Sequence, residues 1–229
     1  MLIIIKIMKK YFTINDTKII FEKEFVKKTY ILKTIPKKEV EKVSKLIYSY
    51  YKALNRAGVS MPKLISREGL TFKYEFCGES LIDILKGKKL SRSFMENVIR
   101  QIEIILKNCK KNNLGLDPHI KNFTLSKEKV FYVDTFPPVS KQYIDLLTKY
   151  NHNINQEVRS HLRTWNPEKL RYHFLADVKK TKELNKDFYK VAKESFIKNR
   201  SIRNFKLQKV NEIIKIEESN IALKGFTLS

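Results

Sequence analysis

The stretch GLDPHIKNFTLSKEKVFYVDTFPP, residues 115–138, gathers Asp117, His119, Asn122 and Asp134 around one short apparent β-hairpin. Asp and Asn suit a plain polar turn, but this set also suits a metal-bound nucleotide. FTLS and VFYV flank KEK, which reads as a three-residue loop. Closing that loop pairs Ser126 with Val130 and Phe123 with Val133, and it sets Asn122 opposite Asp134 at the open end. Opposed residues of an antiparallel pair have Cβ atoms about 5 Å apart, so an amide oxygen and a carboxylate converge. Mg²⁺ takes oxygen ligands, often only one or two from the protein, with water and phosphate as the rest. Asp117, held by Pro118 ahead of Asn122, is placed beside such a metal to orient a hydroxyl nucleophile or accept its proton. His119 adds a donor for a phosphate.

A second signal is TYILKTI, residues 29–35. Read as the third strand, it puts Ile31, Lys33 and Ile35 on one face, opposite Tyr30, Leu32 and Thr34. A lysine between two isoleucines on a face meant for burial needs a partner for its ammonium. Phosphate oxygens would supply one, with Ile31 lining an apolar slot for a base. An edge-strand lysine reaching to solvent is the plainer alternative. In YEFCGESLIDIL, residues 74–85, a strand ends, Gly78 permits a tight turn and a helix starts. Extended backbone there can hydrogen-bond an adenine edge.

These residues need elements to position them. Residues 10–35 read as three strands, ended by Pro36. A helix over 37–57 carries Val40, Val43, Leu46, Ile47, Tyr50, Leu54 and Ala57 as one apolar stripe, and Gly58 stops it. Strand character returns over 63–76. From Ser80 the pattern is helical, with a long helix over 92–112, then the hairpin, then helices to about residue 215. The expected fold is therefore α+β in two lobes: residues 1–77, strand-rich with one helix, and residues 78–229, helical around the loop 115–138. WNPEKLRYHF reads as a helix start, with Asn166 capping and Pro167 at the first position. Trp165 reads as core, and His152, His161 and His173 lack metal-ligand spacing.

The chain of 229 residues carries 47 Lys and Arg against 24 Asp and Glu, a formal charge of +23. That favours polyanions such as RNA, nucleotides or an anionic membrane face, although a lysine-rich composition throughout would give the same total. Residues 179–215 hold twelve basic and four acidic residues, interleaved with Phe188, Tyr189, Phe196 and Phe205. A nucleic-acid face is one reading and a solvated surface the other. The two cysteines, Cys77 and Cys109, form no disulfide or zinc pattern, which points to a reducing cytoplasm. The opening MLIIIKIMKKYF is too short for a membrane span and reads as a first strand or as a few extra residues before a start at Met8.

The order of parts (a lysine on the third strand, a helix, a strand into E-x-x-G, a long helix, D-x-x-x-x-N and an Asp after a hairpin) resembles the protein kinase-like superfamily over residues 10–140. The likeness is to its small atypical branches: aminoglycoside/choline phosphotransferases, RIO kinases and the small kinase of the tRNA threonylcarbamoylation complex. The resemblance implies ATP and Mg²⁺ as cofactors. It makes Lys33 the ligand of the α/β-phosphates, Asp117 the catalytic base, and Asn122 and Asp134 the metal ligands, and it brings the backbone of Glu75 and Cys77 to adenine. A helical glutamate pairs with the lysine in that family. Glu41 is the choice here, although Glu39 and Glu41 equally suit the positive end of the helix dipole. The chain departs from the family in three places. INDTKIIFEKEF has no glycine, Gly115–Leu116 precedes Asp117 without the usual histidine, and TFPP follows Asp134. The expected activity is phosphoryl transfer from ATP to a hydroxyl of a small molecule or protein, or ATP hydrolysis in a basic RNA-associated complex. A pseudokinase scaffold and an RNA binder without catalysis are the alternatives.

Overall fold

A computed structural model describes residues 11–14, 17–33, 35–86, 89–150, 166–181, 184, 186–198 and 208–215. Alternating β-branched, aromatic and lysine residues form an antiparallel sheet of β1 (Tyr11–Ile14), β2 (Thr17–Phe21), β3 (Phe25–Tyr30), β4 (Leu64–Glu68) and β5 (Thr71–Glu75), in the order β1-β2-β3-β5-β4. Helix α1 (Val40–Arg56) connects β3 to β4 and buries Val43, Ile47, Tyr50 and Leu54, much of its expected stripe. It ends where expected: Gly58 adopts φ 77°, and the Val59 N–H reaches back to Leu54 O at 3.1 Å.

Strand β3 is shorter than the sequence pattern predicts. It ends at Tyr30, not at Ile35, because its partner runs out. Thr29 pairs with Thr71, the first residue of β5, and beyond it the chain turns away through Gly69 at φ 51°. Strand propensity in YILKTI has no neighbouring backbone to pair with there, and Ile31 is 42% exposed.

A second, three-stranded antiparallel sheet holds β6 (Glu79–Ser80), β7 (Phe123–Ser126) and β8 (Lys129–Tyr132). The hairpin register differs from expectation by one residue. Lys127 and Glu128 both take left-handed φ angles, 47° and 65°, so they make a two-residue turn whose twist suits a hairpin, and Ser126 pairs with Lys129. Asn122 consequently faces Val133, whose N–H donates to Asn122 O at 2.9 Å, and Asp134 lies one residue beyond. At Gly78, with φ 89°, the chain passes so close to the hairpin that an added Cβ would lie 1.9 Å from Leu125 O.

The remainder is helical: α2 (Leu81–Leu85), α3 (Arg92–Lys111), α4 (Lys141–Tyr150), α5 (Leu170–Lys180), α6 (Lys186–Lys198) and α7 (208–215). The fold is two-lobed α+β. Ser91 caps α3 by accepting the Phe94 N–H, and Asn166 accepts the Glu168 N–H with Pro167 next, as its sequence predicts. One hydrophobic cluster runs through both lobes, from Tyr30 and Ile47 to Ile102, Phe174 and Phe196. Phe188 and Phe196, read as part of a basic and aromatic face, are fully buried, so they serve the core and not a nucleic-acid surface. His173 is likewise buried on α5. His152, His161, Trp165 and Phe205 lie outside the described residues. Among the described residues no helix is long and apolar enough to cross a membrane.

Candidate functional site

The inward face of β3 carries Val26, Lys28 and Tyr30, the first and last of them buried. Lys28 therefore leaves the sheet toward the second lobe, where its Nζ donates to Val133 O at 2.6 Å. Burial lowers the pKa of this ammonium, and the Asp134 carboxylate offsets only part of the effect. Lys33 lies past the strand end on exposed backbone. The lysine of the site is thus Lys28, five residues earlier than the sequence pattern indicates. The same test, a lysine flanked by apolar residues at period two, fits Val26–Lys28–Tyr30 equally well; the misplaced strand end hid it.

Three turns of backbone bring the polar groups together. The catalytic-loop candidate Asp117 donates its N–H to the Tyr132 hydroxyl at 3.1 Å, and Tyr50 donates its hydroxyl to Gly115 O at 2.8 Å. The Asn122 side-chain Nδ2 donates to Asp117 O at 3.1 Å, which aims the amide and buries the residue. Asp134 follows β8, and its Oδ1 accepts the Phe136 N–H at 3.2 Å. Thr135, next to it, is buried between two tyrosines of the first lobe, with its Oγ1 2.8 Å from the Tyr30 hydroxyl and 3.2 Å from that of Tyr74. Phe136 stacks on Tyr30 with ring centroids 4.7 Å apart. The segment after Asp134 is in this way tied to the sheet that carries Lys28.

The charges respond to this crowding. Burial raises the Asp134 carboxyl most, and the Asp117 charge adds to the rise; with Lys28 pulling the other way, its pKa moves from 3.8 to about 6. Burial would also raise Asp117, but the hydrogen bond and charge of His119 outweigh it and hold Asp117 below its usual range. His119 Nδ1 bonds Asp117 Oδ1 directly, and its Nε2 lies 3.7 Å from Asp177 Oδ1. Burial would lower His119, yet the bond and charge of Asp117 and the charge of Asp177 carry it above the usual histidine value. Asp177, on α5, also accepts the Ile120 N–H at 2.7 Å. It supports the loop from 57 residues away in sequence, a separation at which no local pattern marks it.

The other expected residues are distributed as follows. Glu41 is exposed and pairs with Lys45 along α1 at 3.6 Å. The buried face of α1 presents Ser44, which donates to Gly69 O, where an acid was expected. Glu39 accepts the Tyr150 hydroxyl at 2.6 Å. The Glu75 N–H is donated to Lys63 O at 2.9 Å, so any adenine contact from Glu75 falls to its carbonyl. Cys77 is buried, its Sγ 3.2 Å from Thr124 Oγ1, and burial pushes its thiol pKa up. Ile31 lies just past the end of β3 and is 42% exposed. Lys28, Asp117, His119, Asn122 and Asp134 come together; Lys33, Glu41 and Ile31 do not join them.

The donor set fits a hard divalent cation accompanied by phosphate. Asn122 and Asp134 offer one amide and one carboxylate oxygen, and the Asp134 carboxyl is raised by burial and by the neighbouring Asp117 charge. Among the described residues there is no cluster of three or more His, Cys, Asp or Glu suited to hold a metal alone. A cation sharing its coordination with a bound phosphate agrees with both observations.

No family model matches the chain, and no curated protein matches it in sequence. Solved structures do. The bifunctional kinase-methyltransferase WbdD is similar over 91% of this chain at 15% identity and a TM-score of 0.43. This chain spans about half the length of that one, 50%. The streptomycin–ATP–APH(2'')-IIa complex is similar over 96% of this chain and 85% of that chain, at 10% identity and a TM-score of 0.46. A choline/ethanolamine kinase family protein from Mesorhizobium loti is similar over 90% of this chain and 92% of that chain, at 11% identity and a TM-score of 0.32.

Proposed function

We propose that the chain is an ATP- and Mg²⁺-dependent phosphotransferase that delivers a phosphoryl group to a hydroxyl acceptor. The observation that carries the reading is the convergence of Lys28, Asp117, Asn122 and Asp134 on one cleft, with Lys28 and Asp134 electrostatically coupled across it. The lobes divide at Cys77, and the nucleotide lies between them. Lys28 contacts phosphate oxygens; its present partner, the Val133 carbonyl, shows where its ammonium reaches. Asn122 and Asp134 would hold Mg²⁺, which when bound would supply positive charge to stabilise the transferring phosphate. The Glu75 carbonyl and the Cys77 backbone meet the base.

Asp117 orients the acceptor hydroxyl. Its depressed pKa makes it a fixed hydrogen-bond acceptor at neutral pH, and His119 holds the carboxylate in place from the side. In a largely dissociative transfer little proton abstraction is needed before the transition state, so positioning is the main task. The segment INDTKIIFEKEF contains no glycine, so backbone amides approach phosphate less readily from that side. Lys28 then carries a larger share of phosphate binding.

The test is a screen of hydroxyl acceptors with γ-labelled ATP, run with wild type and Asp117→Asn. The substitution is expected to lower transfer by about 10²–10⁴-fold while leaving nucleotide affinity within about threefold. Equal transfer by both proteins would remove Asp117 from the mechanism. Nucleotide binding with no transfer to any acceptor, and no hydrolysis, would favour the scaffold alternative.

A further inference from the structure

At residues 75–77, the hinge between the lobes, lies a cavity of about 620 Å³ walled by both lobes, and its lining includes none of Lys28, Asp117, Asn122 and Asp134. Its size falls in the ordinary range for small-molecule sites, about 300–1,000 Å³. Part of its lining is apolar or aromatic: Tyr51, Met61, Pro62, Phe76 and Phe131. Three lysines, Lys63, Lys127 and Lys129, line it against a single acid, Glu75. Phe76 is 39% exposed and meets Phe21 edge-on, with ring centroids 6.4 Å apart.

The walls are fixed before any ligand arrives. Tyr51 donates its hydroxyl to Pro62 O at 2.9 Å and accepts the Leu64 N–H at 3.1 Å, which locks its ring. Gln101 clamps the hairpin turn, giving its Nε2 to Glu128 O at 2.8 Å and accepting the Val130 N–H at 2.9 Å. The turn that carries Lys127 and Lys129 is therefore held against α3. The segment ahead of β4 is tied to the hairpin, through the Tyr132 N–H to Ser60 O at 2.8 Å. Lys129 Nζ sits 5.1 Å from the Phe131 ring centroid, with its charge beside an aromatic wall.

From this lining we infer a second ligand site, for a small anion with a flat apolar body and hydroxyl donors, of the nucleoside monophosphate class. The lysines meet the phosphate as point charges, the aromatic and apolar walls take the base, and Glu75 accepts from sugar hydroxyls. The hinge residues Glu75, Phe76 and Cys77 form one wall of this cavity, and Cys77 is also coupled to Lys28. An occupant bridges the two lobes next to the nucleotide cleft. The inference does not depend on the cleft being catalytic.

The experiment titrates the full chain with AMP, adenosine and ribose 5-phosphate, with and without excess Mg²⁺ and a non-hydrolysable ATP analogue. Variants are Lys127→Gln/Lys129→Gln, Lys28→Ala and, as a charge control on the outer face of α1, Lys45→Gln. The expected result is saturable AMP binding that survives the analogue, Lys28→Ala and Lys45→Gln. It should weaken about tenfold in the double variant, the scale of a lost charge-assisted contact. Adenosine and ribose 5-phosphate should each bind much more weakly than AMP. Three results would overturn the inference: AMP binding that the analogue competes away or Lys28→Ala abolishes, ribose 5-phosphate binding as well as AMP, or no saturable AMP binding at millimolar concentration. Loss of analogue binding alone would count against the phosphotransferase reading and leave this site standing.

Discussion

Replacing Asp134 with asparagine should stabilise the free protein while destroying its nucleotide site, and the gain should depend on pH. Burial raises the Asp134 carboxyl from 3.8 to about 6 in the fold, a displacement that already contains the attraction of Lys28. Two pKa units correspond to about 3 kcal/mol of unfavourable ionisation. Partial exposure of the side chain reduces this to about 1–3 kcal/mol. Between pH of about 4 and 6 the folded state binds more protons than the unfolded chain, so wild-type stability falls as pH rises through that window. Above pH of about 7 the whole penalty is present. Asp134→Asn never ionises and escapes it. Urea unfolding of both proteins at pH 4.5, 6 and 7.5 measures the difference. It should be about a third of its full value at the lowest pH and reach about 1–3 kcal/mol at the highest, with the m-value unchanged. A difference that stays flat with pH, or an asparagine variant less stable at pH 7.5, would refute the electrostatic account of the site. Mg²⁺ with an ATP analogue should reverse the order, because only the carboxylate form gains from the cation.

Two further outcomes follow from the contacts around the cleft. Thr135→Val removes the hydroxyl shared by Tyr30 and Tyr74 inside the lobe interface, and it should lower the urea unfolding free energy by about 1–3 kcal/mol, the penalty for buried polar groups left unmatched. Asp177→Asn keeps an oxygen for the Ile120 N–H but removes the charge that helps to raise His119. The His119 pKa, followed by NMR titration, should fall toward its ordinary value, and an unchanged pKa would show that Asp177 acts on the loop only as a cap.

The two-lobed α+β arrangement was legible because long segments repeat their period clearly. The apolar stripe of α1 and the Gly58 stop leave few alternatives, and the same holds for α3 with its Ser91 cap. What misled was local register. The KEK segment supports a three-residue loop or a two-residue turn equally on composition, and only the positive φ of Lys127 and Glu128 decides for the latter. Asn122 and Asp134 lie at one site although the register differs by one residue, because the 3₁₀ turn at Ile120–Asn122 and the Val133 N–H bond to Asn122 O bring the segments together instead. The lysine was displaced for a different reason. YILKTI has the composition of a strand, but a strand ends where its partner ends, and the position of the β4–β5 turn is a tertiary fact. Asp177 and the Thr135 node belong to the same category: both join residues far apart in sequence, through side chains that have no local periodicity to betray them.

The most direct test of the account compares Lys28→Ala with Lys33→Ala in calorimetric titration with a non-hydrolysable ATP analogue, with and without Mg²⁺. The two lysines lie five residues apart on one segment, and Lys28 reaches the second lobe at the Val133 carbonyl. Metal-dependent binding that is lost in Lys28→Ala and retained in Lys33→Ala is the predicted result. Binding that survives Lys28→Ala, or that Lys33→Ala removes instead, would contradict the site described above.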